Sequence, residues 1–220
     1  MHDTASQIRS FSLPGPAGPL EALLNTGITE SRHAAVVCHP HPLYGGTMHN
    51  KVVYHAAKAL NEFGIPVLRF NFRGVGRSGG EHDGRAESED VSAAVDWLDR
   101  EYRVPVIFAG FSFGAAVGLR ACCPDQRVLG LISLGTPVVA DGRSYAYKFL
   151  QECGKPKLFV SGTKDMFGPQ EELETIVGNS AAPKHLVWVE GAGHFFEGKL
   201  PVMQDAIQSW VRQTFPDLKP

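Results

Sequence analysis

Residues Gly110-Phe111-Ser112-Phe113-Gly114 constrain this chain more than any other stretch. Before them runs Val104-Pro105-Val106-Ile107-Phe108-Ala109, an apolar segment of strand length, and after them Ala115-Ala116-Val117-Gly118-Leu119-Arg120 reads as a helix. Strand, G-x-S-x-G, helix is the setting of a nucleophile elbow, a sharp turn that lifts a serine hydroxyl above a sheet. A turn that tight leaves no room for side chains at its flanks, which accounts for glycine at 110 and 114. Ser112 is therefore the candidate nucleophile.

An elbow needs a sheet around its strand, and the rest of the chain supplies one. Ile8 to Leu13 and Leu20 to Asn25 flank the turn cluster Pro14-Gly15-Pro16-Ala17-Gly18-Pro19 and read as an antiparallel hairpin. Ala34 to Cys38 is a continuous apolar run, as expected of a strand buried on both faces. Val52, Val53, Ala56, Ala57, Leu60 and Phe63 make a helical stripe within Met48 to Phe63, stopped by Gly64 and Pro66. Val67 to Phe72 is the next strand; Glu87, Glu89 and Asp90 then place negative charge at a helix start, where the dipole favours it. Val128 to Leu134, Lys157 to Ser161 and Lys184 to Val189 are further strands, with a helix from Gln170 to Val177 and a last one from Pro201 through Val211. Alternating strands and helices predict an α/β fold: a mostly parallel central sheet with helices on both faces and the hairpin at one edge. One domain, 1–220, accounts for the whole chain.

Composition narrows the partners. With 21 basic and 23 acidic residues the net charge is −2, and no block of like charge stands out, so neither nucleic acid nor an anionic membrane is expected. No run approaches the roughly 18 apolar residues of a membrane span, and the first residues lack the features of a signal peptide. Cys38, Cys122, Cys123 and Cys153 have no framework spacing; three of them fall in apolar surroundings that suggest packing, and their disposition fits a reducing cytoplasm.

A serine hydroxyl needs a base to take its proton, and the base needs a partner to fix its tautomer. In an open α/β sheet these groups belong at the carboxyl ends of strands. After one downstream strand comes Ser161-Gly162-Thr163-Lys164-Asp165; after the next comes Glu190-Gly191-Ala192-Gly193-His194. The order Ser112, Asp165, His194 is a Ser–acid–His order. Asp141 is the rival acid, and His185, inside its strand, reads as structural. One oxyanion donor is expected from the Phe113 N–H and a second from the loop after the third strand. Pro40 and Pro42 carry no N–H, which leaves His41, Leu43 or Tyr44, with Leu43 preferred. Tyr44, Phe111, Phe167 and Phe195 lie close to these loops and are the candidate apolar substrate pocket.

The stretches His39-Pro40-His41-Pro42 with Gly45-Gly46, Asn71-Phe72-Arg73-Gly74 with Gly76-Arg77-Ser78, the elbow, Gly162-Thr163-Lys164-Asp165 and Gly193-His194-Phe195-Phe196 together resemble the α/β-hydrolases. They are most similar to a small, lidless bacterial group of predicted alpha/beta superfamily hydrolases. The resemblance implies esterase-like acyl hydrolysis without a cofactor, on a small-molecule ester. The stretch from Gly135 to Pro156 can hold a helix or two but no lid domain, so an open cleft and short substrates are expected. A monomer or homodimer is equally compatible.

Other readings are weaker. His39 and His41, with His49 nearby, suggest zinc, but a metal site needs three or four convergent ligands and no acid or cysteine cluster accompanies them. Gly74-Val75-Gly76-Arg77-Ser78-Gly79 matches G-x-G-x-x-G, yet the polar, turn-rich residues that follow oppose helix entry, so no dinucleotide is expected. Arg69, Arg73, Arg77 and Arg85 read as a solvated loop. A thioesterase or small peptidase would use the same triad, and a hydrolase fold kept only for binding would be expected to lack one of its members.

Overall fold

The computed structural model describes residues 7–28, 30–140 and 143–218. In chain order the strands are β1 (Ile8–Gly15), β2 (Gly18–Asn25), β3 (Ala34–Cys38), β4 (Val67–Phe70), β5 (Val106–Phe111), β6 (Val128–Leu134), β7 (Val139–Ala140), β8 (Arg143–Ser144), β9 (Lys157–Gly162) and β10 (Lys184–Val189). The helices are α1 (Lys51–Asn61), α2 (Glu87–Tyr102), α3 (Phe113–Cys122), α4 (Gln170–Asn179) and α5 (Leu200–Thr214).

Eight strands form one sheet in the order β1-β2-β4-β3-β5-β6-β9-β10. β1 and β2 pair antiparallel, β2 runs antiparallel to β4, and from β4 to β10 every pairing is parallel. Burial follows from this. β3, β4 and β5 are buried at every residue, as parallel strands covered on both faces must be. β2, nearer the edge, buries alternate residues Leu20, Ala22 and Leu24.

Two apolar clusters occupy the two faces. Val91, Ala94, Val95 and Leu98 of α2, Leu119 of α3 and Leu173 of α4 share one cluster; Val53, Ala57 and Leu60 of α1 share the other with Met203, Ile207 and Trp210 of α5. Each buried Val, Leu, Ile or Met among them contributes roughly 1.5–3 kcal/mol by leaving water. Gly118 lets α3 lie directly on β5, since a Cβ there would strike the Phe108 ring.

All the main elements of the sequence reading are present, with local differences. β4 stops at Phe70 rather than Phe72. Asn71 N–H still donates to Glu21 O (2.8 Å), but the Ser78 hydroxyl takes the return rung, accepting the Glu21 N–H (2.9 Å) and donating to Asn71 O (2.7 Å), and Phe72 N–H turns to the His39 ring (3.0 Å). β5 runs on to Phe111, whose register partner is Leu134. Among the described residues between β6 and β9 lie only the two-residue β7–β8 pair and a 3₁₀ turn, Lys148–Gln151, and none of them forms a lid domain. The cysteine reading needs correcting: Cys123, at the end of α3, and Cys153 form a disulfide, while Cys38 and Cys122 are free and buried. Their Cα atoms are brought to 5.8 Å by the return of the chain past α3, which spacing in sequence cannot show.

Candidate active site

The elbow has the geometry its glycines imply. Ser112 sits at φ 53°, ψ −120°, a region that costs a non-glycine residue about 1–3 kcal/mol and persists only where the surroundings impose it. Here Ser112 N–H donates to Leu134 O (2.9 Å), and Ser112 O accepts from Ala115 and Ala116 N–H (2.9 and 3.1 Å), locking the residue between β6 and the first turn of α3. A Cβ at Gly110 would lie 2.6 Å from Gly114 O, and one at Gly114 would run into His39 O and Cys38 O. The strand–helix junction is thus pressed against the end of β3. Phe113 is the first residue of α3, where N–H groups have no intrahelical acceptor.

The acid and histidine loops are knitted together at the ends of β9 and β10. Thr163 N–H donates to Val189 O (3.1 Å), Lys164 N–H to Ala192 O (2.9 Å) and Gly191 N–H to Thr163 Oγ1 (2.9 Å). Gly162 is bare because a Cβ would enter the Ala192 and Gly193 backbone. In this frame His194 Nδ1 lies 2.8 Å from Asp165 Oδ2 and 2.9 Å from Oδ1, with both side chains buried. Phe167 N–H also donates to Asp165 Oδ1 (2.9 Å), fixing the carboxylate. A carboxylate can only accept, so Nδ1 carries the proton and Nε2 is left as the basic nitrogen. The His194 ring is packed by Phe167 (4.7 Å), Phe111 (4.9 Å) and Phe195 (5.3 Å). Gly135, at φ +51°, makes room for it: a Cβ there would meet Phe111 at 2.9 Å and the imidazole at 3.2 Å.

The four aromatic pocket candidates therefore separate. Phe111 is fully buried beneath His194 and supports the ring, so it is not an accessible wall. Phe195 is 46% exposed and Phe167 half-buried, both beside His194. Tyr44 is exposed on the opposite loop, its ring 5.0 Å from His41. His185 lies exposed on the edge strand β10. Asp141, the rival acid, falls outside the described residues.

The loop after β3 is built on its histidines. His39 is completely buried; its Nδ1–H donates to Pro40 O (2.7 Å) and its Nε2 accepts the Phe72 N–H (3.0 Å), tying the β3 loop to the β4 loop. Burial pushes this imidazole down to about 4. His41 Nδ1 accepts the Leu43 N–H (3.2 Å) and His41 O accepts from Tyr44 and Gly46 N–H (both 3.1 Å). The Leu43 N–H, preferred from sequence as an oxyanion donor, is thus engaged within its own loop, and the Leu43 side chain is 72% exposed. His41 instead packs its ring on Phe113 (4.9 Å).

Of the four arginines read as a solvated loop, two are buried. Arg69 donates to Met48 O (3.1 Å) and Asn25 Oδ1 (3.2 Å), and Arg73 is clamped by Asp90 at 2.7–3.1 Å with Glu89 at 3.2 Å. Asp90 is therefore a buried counterion more than a helix-dipole charge. Sequence reading also missed His82 and Glu87. The His82 ring lies 5.5 Å from Phe113 and 4.9 Å from His41, and its Nδ1 is 2.5 Å from Glu87 Oε1. The fully buried Glu87 additionally accepts Asp83 and Gly84 N–H (3.0 and 3.3 Å). The histidine five residues before a helix-opening glutamate was visible; that the loop folds back onto the elbow was not. Among the described residues, no three His, Cys, Asp or Glu side chains converge as metal ligands would.

Known proteins resemble this chain along most of its length. The sequence profile of the alpha/beta hydrolase domain matches residues 34–212. A Rickettsia prowazekii protein, RP471, is 33% identical over 205 residues, 90% of this chain and 86% of that one. An alpha-beta serine hydrolase homologue from Coxiella burnetii is 38% identical with a TM-score of 0.83, covering 91% of this chain and 96% of that one. The Xanthomonas campestris protein XC6422, described as a serine hydrolase without a lid, is 33% identical with a TM-score of 0.84, covering 98% of both chains. An eight-stranded sheet carrying a strained serine at a strand–helix turn, matched over residues 34–212 by the family profile, places this chain in the alpha/beta hydrolase family.

Proposed function

We propose that the protein is a serine carboxylesterase acting through an acyl-enzyme intermediate. The observation that carries the reading is the buried His194–Asp165 pair, which presents a basic Nε2 at the sheet end that also carries Ser112. Ser112 Oγ attacks the ester carbonyl while His194 Nε2 takes its proton; the C–O bond to the alcohol then breaks, and the imidazolium returns that proton to the leaving oxygen. Water repeats the sequence on the acyl-enzyme and releases the acid. Asp165 holds the productive tautomer and offsets the positive charge that forms on His194. The tetrahedral oxyanion is received by the Phe113 N–H and by a second N–H of the 39–44 loop; the packing of the His41 ring on Phe113 favours His41 for that role. Each such donor is typically worth about 3 kcal/mol in the transition state.

The short β6–β9 connection leaves the cleft uncovered, which supports short or exposed acyl groups over long-chain lipids. A fluorophosphonate label read by intact mass tests the nucleophile: wild type gains one adduct and Ser112→Ala gains none. Equal labelling of both would overturn the assignment. A panel of esters, thioesters and anilides of graded acyl length then ranks the substrate classes, with short esters expected to lead.

A further inference from the structure

A groove of about 990 Å³ begins about one helical turn past Ser112, between the 83–88 turn, α3 and the 144–147 segment. This is the upper part of the size range of small-molecule sites. Its floor is Ala116 and Val117 of α3, and Arg85 and Arg120 flank it with Ser88, Ser144 and Tyr145. Ala116 is one helical turn from Ser112, and its N–H is bonded to Ser112 O. Arg120 lies eight residues along the same helix, so about 12 Å farther at 1.5 Å per residue. The groove therefore leads away from the nucleophile along α3.

Its charge is one-sided. Arg73, Arg77 and Arg127 elsewhere in the protein are held in ion pairs. Among the described residues no carboxylate comes within ion-pair distance of Arg85 or Arg120, and the Arg120 guanidinium lies 5.4 Å over the Phe149 ring. One carboxylate does line the groove, Asp83, but its Oδ1 accepts the Arg85 and Ala86 N–H groups (both 2.7 Å) and is committed to the start of α2. Two guanidinium forks on one groove recognise an oxyanion such as a carboxylate or a phosphate.

We propose that this groove binds an anionic group carried by the substrate and so selects acidic esters over neutral ones. The proposal rests on Ser112 being the nucleophile and adds the substrate's charge. Two matched pairs test it and separate the sources of the anion. The first is the mono-p-nitrophenyl ester of suberic acid against p-nitrophenyl octanoate; the second is octanoyl-phosphopantetheine thioester against octanoyl-pantetheine. The kcat/KM ratio, charged over neutral, is expected to exceed about tenfold in one pair, a carboxylate on the acyl group or a phosphate on the leaving group respectively. Arg120→Gln and Arg85→Gln are each expected to cut that ratio about five- to tenfold, and raising the salt should shrink it in wild type.

Ratios near one in both pairs, unmoved by either substitution while the fluorophosphonate still labels Ser112, would overturn the groove and leave the esterase standing. If Ser112 does not label, the esterase reading fails. Binding of monoethyl suberate to Ser112→Ala, followed by ligand-observed NMR, then decides the groove alone: binding weakened by Arg120→Gln supports it, and no binding overturns it.

Discussion

His39 and His194 are both buried, both lie against the elbow region, and both have one ring nitrogen fixed by an oxygen acceptor. They differ at the other nitrogen. His39 Nε2 accepts the Phe72 N–H, so the whole ring is consumed in joining two loops; among the described residues only Nδ1 of His194 is bonded. The acceptors differ as well: His39 has a neutral carbonyl, which gives a charged ring little compensation for burial, whereas His194 has a carboxylate held by Phe167 N–H. Burial alone therefore does not mark a catalytic histidine. His194 is set apart by a carboxylate behind the ring and an uncommitted nitrogen in front of it, the two features the proposed base requires.

The contrast can be broken at either histidine. His194→Gln is expected to lower kcat/KM by about 10⁴-fold or more while shifting Tm by only a few degrees, read by ester hydrolysis beside thermal melts. Asp165→Asn should cost about 10³–10⁴-fold in kcat with the fold intact, because Nδ1 loses its charged acceptor and the tautomer is no longer enforced. Gly135→Ala brings a methyl group against Phe111 and the His194 ring at a positive φ; a fall in kcat of roughly 10–100-fold is expected from a displacement of about 1 Å. A wild-type rate in that variant would mean the ring has more freedom than its packing implies.

The smallest effect concerns stability. Because the folded His39 ring is pushed down to about 4, its neutral form is what folding stabilises. Above about pH 6.5 neither state is protonated and there is no penalty; as pH falls from there toward about 4, the unfolded chain takes up the proton and the folded one does not. Denaturation at pH 7 and pH 5 should show roughly 2 kcal/mol of this loss in wild type, and His39→Gln should lack that share of the slope. The same slope in both would remove His39 from the account.

Much of this was legible in the sequence because the fold writes it locally. The elbow glycines, Gly162 and the strand-end positions of Asp165 and His194 each answer to a contact within a few residues or one strand away. What was not legible depends on loops meeting across the sheet end. Phe111 reads as a pocket wall next to Ser112, yet it belongs to the last pair of β5 and points beneath His194. Leu43 reads as a donor, yet its N–H is taken by the ring two residues before it. Arg73 reads as a surface charge until α2 presents Asp90 to it, and the Cys123–Cys153 bond joins α3 to the segment before β9. His82 reaches Phe113, with Glu87 of α2 against its other side, only because its loop folds back toward α3.

The central claim, that His194 backed by Asp165 activates Ser112, is tested most directly by the rate of fluorophosphonate labelling in His194→Gln against wild type. The account predicts labelling at Ser112 in both proteins, slower by a factor of about 10³ or more in the variant. Labelling of His194→Gln at the wild-type rate would contradict it.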